Sequence, residues 1–109
     1  MGSLTIPKDV RAEIEKRVEQ FNQETLGGGE IYYVPRFRGR YLYLDRYEFD
    51  RQGQICRLTY TGEMDKWEFA IFRWSSERYD PDEWMFPGAE HLDGTVEGAM
   101  KAGLEAYPA

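Results

Sequence analysis

Ten residues between positions 32 and 47 bring flat rings and guanidinium groups together: Tyr32, Tyr33, Arg36, Phe37, Arg38, Arg40, Tyr41, Tyr43, Arg46 and Tyr47. Rings stack on flat ligands, and guanidinium groups donate paired hydrogen bonds to carboxylate or phosphate. Tyr33, Arg36, Arg38, Arg40, Tyr41, Tyr43, Arg46 and Tyr47 are therefore the candidate binding residues. The chemistry suits a protein partner, a small anionic ligand or a single strand of nucleic acid. The competing structural explanation is internal. The same arginines can pair with the acids of the C-terminal half and stack on neighbouring tyrosines within a sheet.

A second cluster is Arg78-Tyr79-Asp80-Pro81-Asp82-Glu83-Trp84, followed by Glu90, His91 and Asp93. Clustered oxygens suit a hard cation, but this spacing departs from the Asp-x-Asp-x-Asp-Gly calcium loop. His91 with Asp93 falls short of a zinc ligand set. No metal site and no cofactor is expected, and the segment reads as a solvated loop anchored by Trp84, Met85 and Phe86.

Enzymatic chemistry would need a nucleophile and a base, and His91 could pair with Cys56, Ser75 or Ser76. Cys56 falls in the middle of an apolar run, where cysteine is usually inert packing. No Gly-x-Ser-x-Gly elbow is present. Gly27-Gly28-Gly29 follows a helix rather than opening one, so it is not a phosphate loop. The leading expectation is a non-enzymatic binding or interaction module. Binding of a small anion or single-stranded nucleic acid through Arg36, Arg38, Arg40 and Arg46 is the first alternative. An enzyme built around residues 75–93 and His91 is the second.

The elements that must position these groups follow from periodicity. Val10, Ile14, Val18 and Phe21 form one stripe of a helix over residues 7–26, with Pro7 in its first turn. Glycines at 27–29 end it. Four strands are expected over residues 30–37, 40–49, 54–61 and 66–74. In the second, Tyr41, Tyr43, Tyr47 and Phe49 share one face, with Leu42 and Leu44 on the other. Gly53 is expected to close the Asp50-Arg51-Gln52-Gly53 hairpin, and residues 62–65 to form another. Residues 75–92 read as a long loop. Asp93 or Thr95 caps a last helix to about Tyr107, with Val96, Met100 and Leu104 in its stripe. Its small residues, Gly98, Ala99, Ala102 and Gly103, suit close packing on a sheet, with a homodimer seam as the rival use. Short hairpins imply an antiparallel sheet, so the expected fold is a two-layer α+β sandwich with both helices on one face.

The chain has 109 residues, enough for one domain over 1–109, with residues 1–5 outside its packed part. Hydrophobic residues make up 41% and charged residues 31%, which excludes a disordered chain. Aromatic residues reach 16%, and large rings let a short chain build a sizeable core. The lone Cys56 permits no intrachain disulfide, which suits a reducing, cytoplasmic setting. No apolar run approaches the length of a membrane span.

The formal net charge of −6 argues against a general nucleic-acid binder, because neutralising phosphates supplies most of that affinity. Charge is unevenly spread: residues 31–62 carry six arginines against three acids, and residues 63–109 carry eleven acids against four bases. The expected partner is a protein or a second copy in a homodimer, not a membrane. The order of elements, helix, meander, helix, resembles that of double-stranded-RNA-binding domains in architecture, without a shared motif. That family grips phosphates with lysines clustered at the start of its final helix. The same stretch here reads Asp93-Gly94-Thr95-Val96-Glu97, with only Lys101 beyond it. The resemblance therefore extends to the architecture and transfers no RNA-gripping residue.

Overall fold

Ile14, Val18 and Phe21 are buried along one side of the first helix, α1, which spans Lys8–Glu24 in a computed structural model of the protein. That model describes residues 5–83 and 85–109. Residues 1–4, expected outside the packed domain, and Trp84, expected to anchor the loop, lie outside the described residues. Pro7 is the N-cap of α1, where its missing N–H leaves nothing unpaired. After α1, Gly27 and Gly28 adopt φ of +81° and +67°, and the Gly28 N–H donates back to the Asn22 carbonyl at 2.9 Å. This left-handed reversal is open to glycine at little cost.

Five strands follow: β1 (Ile31–Arg38), β2 (Tyr41–Glu48), β3 (Arg51–Thr59), β4 (Glu68–Arg73) and β5 (Arg78–Asp80). They form one antiparallel sheet in chain order. The sequence leads to four strands, and the fifth comes from the segment read as loop. Three residues are too few to show a period, and Tyr79 is fixed by its pairing with Phe72 rather than by local pattern. A 3-10 turn, Ala89–His91, and a second helix, α2 (Val96–Ala106), complete the fold.

Two hairpins are tight. Gly39 and Arg40 join β1 to β2, with Gly39 at φ +60°. Phe49 and Asp50 join β2 to β3 with φ of 51° and 70°. Two positive φ values in a two-residue loop match the twist of the flanking strands. The expected turn at Gly53 is therefore displaced: Gly53 lies within β3, opposite Arg46. Asp50 supplies the left-handed position that glycine was expected to supply, and Phe49 leaves the face of Tyr41, Tyr43 and Tyr47. The β3–β4 connection is longer than expected. Trp67 sits outside the strand as a buried anchor, its backbone N–H donating to Gly94 and its ring N–H to Met64.

Pairing shifts between Leu44, opposite Cys56, and Asp45, opposite Gln54. Ile55 is the extra residue of a β-bulge, and both Ile55 and Cys56 are buried. On that side of the sheet, Tyr33, Leu42, Leu44, Cys56 and Leu58 form one core with Ile14, Val18 and Phe21 of α1 and Val96, Ala99 and Met100 of α2. Phe21 meets Tyr33 edge-on, with ring centres 5.9 Å apart, and the Tyr33 hydroxyl donates to the Met100 carbonyl at 2.8 Å. Asn22 also covers the outer edge of β1. Its amide donates to the Tyr33 carbonyl at 2.9 Å and accepts from the Tyr33 N–H at 2.8 Å, as a sixth strand would.

Thr95 caps α2, its hydroxyl oxygen accepting from the Gly98 N–H at 2.9 Å. Asp93 in turn accepts from the Thr95 N–H and hydroxyl, which holds its carboxyl below the usual range. The small residues of α2 face inward: a Cβ added to Gly103 would lie 2.6 Å from both Ile55 Cγ2 and the Tyr33 hydroxyl oxygen. That side of α2 is occupied by the sheet and offers no seam to another copy. Among the described residues, no helix is long and apolar enough to cross a membrane.

Candidate functional site: an arginine–tyrosine sheet face

Alternation and register place Tyr32, Arg36 and Arg38 of β1, Tyr41, Tyr43, Asp45 and Tyr47 of β2, Gln52, Gln54 and Arg57 of β3, and Phe72 and Tyr79 of β4 and β5 on the face opposite the helix-side core. Ring contacts run across it without a break. Tyr41 meets Tyr43 at 6.2 Å, Tyr43 meets Tyr79 at 5.3 Å, Tyr79 meets Phe72 at 5.0 Å, and Phe72 meets Trp74 at 4.8 Å. Tyr32 and Tyr47 form a separate stacked pair at 5.4 Å.

Guanidinium groups lie over this ladder. Arg36 stands 4.4 Å from the centre of Tyr43, and Arg40 stands 5.5 Å from that of Tyr41. Arg57 lies near two rings, 4.8 Å from Tyr41 and 5.5 Å from Tyr79. Attraction between a cation and a ring face holds each arginine against its ring.

The arginines differ in what else they meet. Arg36 Nε donates to Asp45 Oδ2 at 3.1 Å, and Gln52 donates to the same oxygen at 2.8 Å. The Tyr47 hydroxyl donates to Gln52, which completes a chain across β2 and β3. Asp45 is almost fully buried, and these donors satisfy its carboxylate oxygens. Arg57 has no carboxylate within ion-pair distance among the described residues, and its buried Nε has no hydrogen-bond partner.

Two hollows lie along this face. One, of about 340 Å³, is lined by Arg38, Arg40, Tyr41 and Tyr43. The other, also about 340 Å³, is lined by Arg36, Asp45, Gln52, Gln54 and Trp74. A larger cavity of about 440 Å³ lies between β3, β4 and the start of α2, lined by Leu58, Trp67, Phe69, Leu92, Thr95 and Ala99 among others. It is mostly apolar, and its Thr95 hydroxyl already caps α2. Among the described residues Glu68 is the one charged group in its lining, fewer polar groups than usually orient a ligand.

The candidate residues thus divide. Arg36, Arg38, Tyr41, Tyr43 and Tyr47 share the sheet face, with Arg40 at its hairpin rim. Tyr33 and Arg46 do not: both point to the helices and are 1% and 2% exposed. Burial pushes the Tyr33 hydroxyl up from its ordinary pKa. Arg46 pairs with Glu48 at 2.9 Å and donates to the carbonyls of Gly103 and Tyr107 at the end of α2, so it acts as a C-cap. Counting residues cannot separate it from its neighbours; strand parity does, since 46 shares its parity with Leu42 and Leu44.

Arg57 and Tyr79 are the members that lay outside the expected set. Arg57 is separated in sequence from the arginine-rich run, and its parity opposite Tyr43 was the available signal. Tyr79 enters only through β5.

The nucleophile–base pairing is not built around Cys56. Its thiol is fully buried, pushed up in pKa by that burial, and faces the core. His91 instead meets Glu105 of α2 at 2.7 Å. Of the expected loop anchors, Phe86 stacks on Phe69 at 5.8 Å, while Met85 is 91% exposed and anchors nothing. No family model matches the chain, and neither curated proteins nor solved structures give a significant match.

Proposed function

We propose that the protein is a non-enzymatic binding module that takes an acidic, extended segment of a protein partner across its arginine–tyrosine sheet face. The observation that carries this reading is Arg57: a guanidinium laid against two rings, without a carboxylate partner among the described residues, whose terminal nitrogens, unlike its buried Nε, are left to meet a ligand. An isolated cation held in place by aromatic stacking is preorganised for an incoming anion.

Charge supports the same reading. Arg36, Arg38, Arg40 and Arg57 stand on or beside this face against the carboxylates Asp45 and Glu68, in a protein of formal net charge −6. The face is thus a positive patch on an acidic body, which attracts acidic segments and repels further copies of that body. A nucleic acid is less suited, since its affinity grows with the number of phosphates neutralised and the surrounding surface is acidic. Tyrosine and arginine are also the residue types that dominate protein-recognition surfaces.

The test is fluorescence anisotropy of a labelled glutamate-rich peptide containing aromatic residues. Binding is expected to weaken about ten-fold with Arg57→Ala, the size typical of an interface anchor. Lys16→Ala, an exposed change of the same charge on α1, should leave it unchanged. Equal loss in both variants would mean that only net charge matters. Tighter binding of oligo-dT than of the peptide would move the assignment to nucleic acid.

A further inference from the structure

We propose that Glu90, His91 and Glu105 form a surface site for one divalent transition-metal ion, with zinc the best match. One nitrogen and two oxygen donors converge where the 3-10 turn meets the end of α2. His91 Nε2 stands 2.7 Å from Glu105 Oε2, and one ligand atom of each of the three residues lies within 4.8 Å of the others. Donors held about 2.0–2.2 Å from one zinc ion stand about 3.5 Å apart in tetrahedral geometry. To reach that spacing the His91–Glu105 pair opens while the widest pair of donors draws in, movements within the reach of side-chain rotation.

The backbone that carries the donors is clamped. Gly88, at φ +99°, lies so close to α2 that a Cβ there would stand 2.6 Å from the Ala102 carbonyl oxygen and 2.9 Å from Glu105 Cβ. The turn bearing Glu90 and His91 is thus packed on the same helical turn that bears Glu105. A site needs this kind of fixed support for its ligands.

Electrostatics favour a dication. Glu105 lies in the last turn of α2, which contains no basic residue, and the negative end of a helix disfavours a carboxylate and favours a cation. A divalent ion would balance the two carboxylates that face it. The imidazole selects the metal class. Magnesium and calcium prefer all-oxygen sets, while zinc and its neighbours take nitrogen with oxygen. Three protein ligands on an exposed surface leave a coordination position for water or for a donor from another molecule. The site is independent of the sheet face and of the function proposed for it.

The experiment is calorimetric titration of zinc chloride into the full-length, metal-stripped protein near neutral pH, repeated with excess magnesium. One ion per chain is expected, unaffected by magnesium. His91→Ala and Glu105→Gln should each weaken binding by about ten-fold or more, the range seen when metal sites lose support. Glu15→Gln on α1 should change nothing. Melting each variant with a chelator present separates loss of the site from loss of fold, and Glu105→Gln, which keeps the side-chain shape, carries the test if His91→Ala is unstable. Zinc binding of equal strength in both site variants, or no saturable binding at all, would overturn the proposal.

Discussion

Arg57 lies over the ring of Tyr41, its guanidinium carbon 4.8 Å from the ring centre, while its Nε is buried without a partner. This pair sets the geometry of the proposed binding face, because the ring fixes the cation and leaves its terminal nitrogens for a ligand. Tyr41→Leu should therefore weaken capture of the acidic peptide several-fold at a stability cost of about 1–2 kcal/mol, since the cation–π attraction lost at this half-buried site lies between the exposed and the desolvated range. Anisotropy and a thermal melt on the same sample check both halves. An unchanged affinity would show that the ring plays no part in presenting Arg57.

Arg46, by contrast, is a structural cation. It caps the end of α2 through the Gly103 and Tyr107 carbonyls and pairs with Glu48. Arg46→Met keeps much of the packing volume but leaves those carbonyls and Glu48 without their donor. A loss of about 2–4 kcal/mol is expected from urea unfolding, with peptide binding by the folded fraction unchanged. A near-neutral effect would show that the cap contributes little.

Gly103 is where α2 approaches the sheet most closely. Gly103→Ala would add a Cβ 2.6 Å from Ile55 Cγ2 and from the Tyr33 hydroxyl oxygen. Helix propensity favours alanine by about 1 kcal/mol, but overpacking costs about 1–3 kcal/mol, and here the neighbours are themselves buried. Net destabilisation is expected in the same unfolding assay, and stabilisation would mean that α2 has room to move outward.

Cys56 should be silent in the native state. It is fully buried and its thiol pKa is raised by that burial, so little thiolate forms and no reagent reaches it. A chromogenic disulfide reagent is expected to react with none of the native protein and with one thiol per chain in denaturant. Rapid native reaction would contradict the packing of β3.

Much of this architecture is legible in the amino-acid pattern because strong periods act locally. The stripe Ile14, Val18, Phe21 and the alternation of Leu42 and Leu44 with Tyr41 and Tyr43 each decide which side is buried. Non-local effects are harder to read. The hairpin at Phe49-Asp50 uses positive φ without glycine, so turn chemistry alone pointed to Gly53. The bulge at Ile55 shifts the register by one residue, which no local signal announces. β5 exists through its pairing with β4.

The candidate face divides for the same reason. Six of the eight expected residues share the open face or its rim, but parity turns Tyr33 and Arg46 into the core. Arg57 and Tyr79 join the face across the sheet from distant positions. Likewise Glu105 meets His91 only because the 3-10 turn folds onto α2, a contact that spacing along the chain does not reveal.

The central claim is that Arg57 is held ready for an acidic partner, and its own Nε–H signal reports on this most directly. In a titration followed by proton–nitrogen NMR, the glutamate-rich peptide should shift that signal together with the amides of β2 and β3 around Tyr41, Tyr43 and Arg57. The shifts should saturate, and they should be lost in Arg57→Lys, which keeps the charge but not the planar fork. If the peptide instead shifts residues of α1 and α2, or leaves the Arg57 Nε–H unmoved at saturation, the sheet face is not the binding surface.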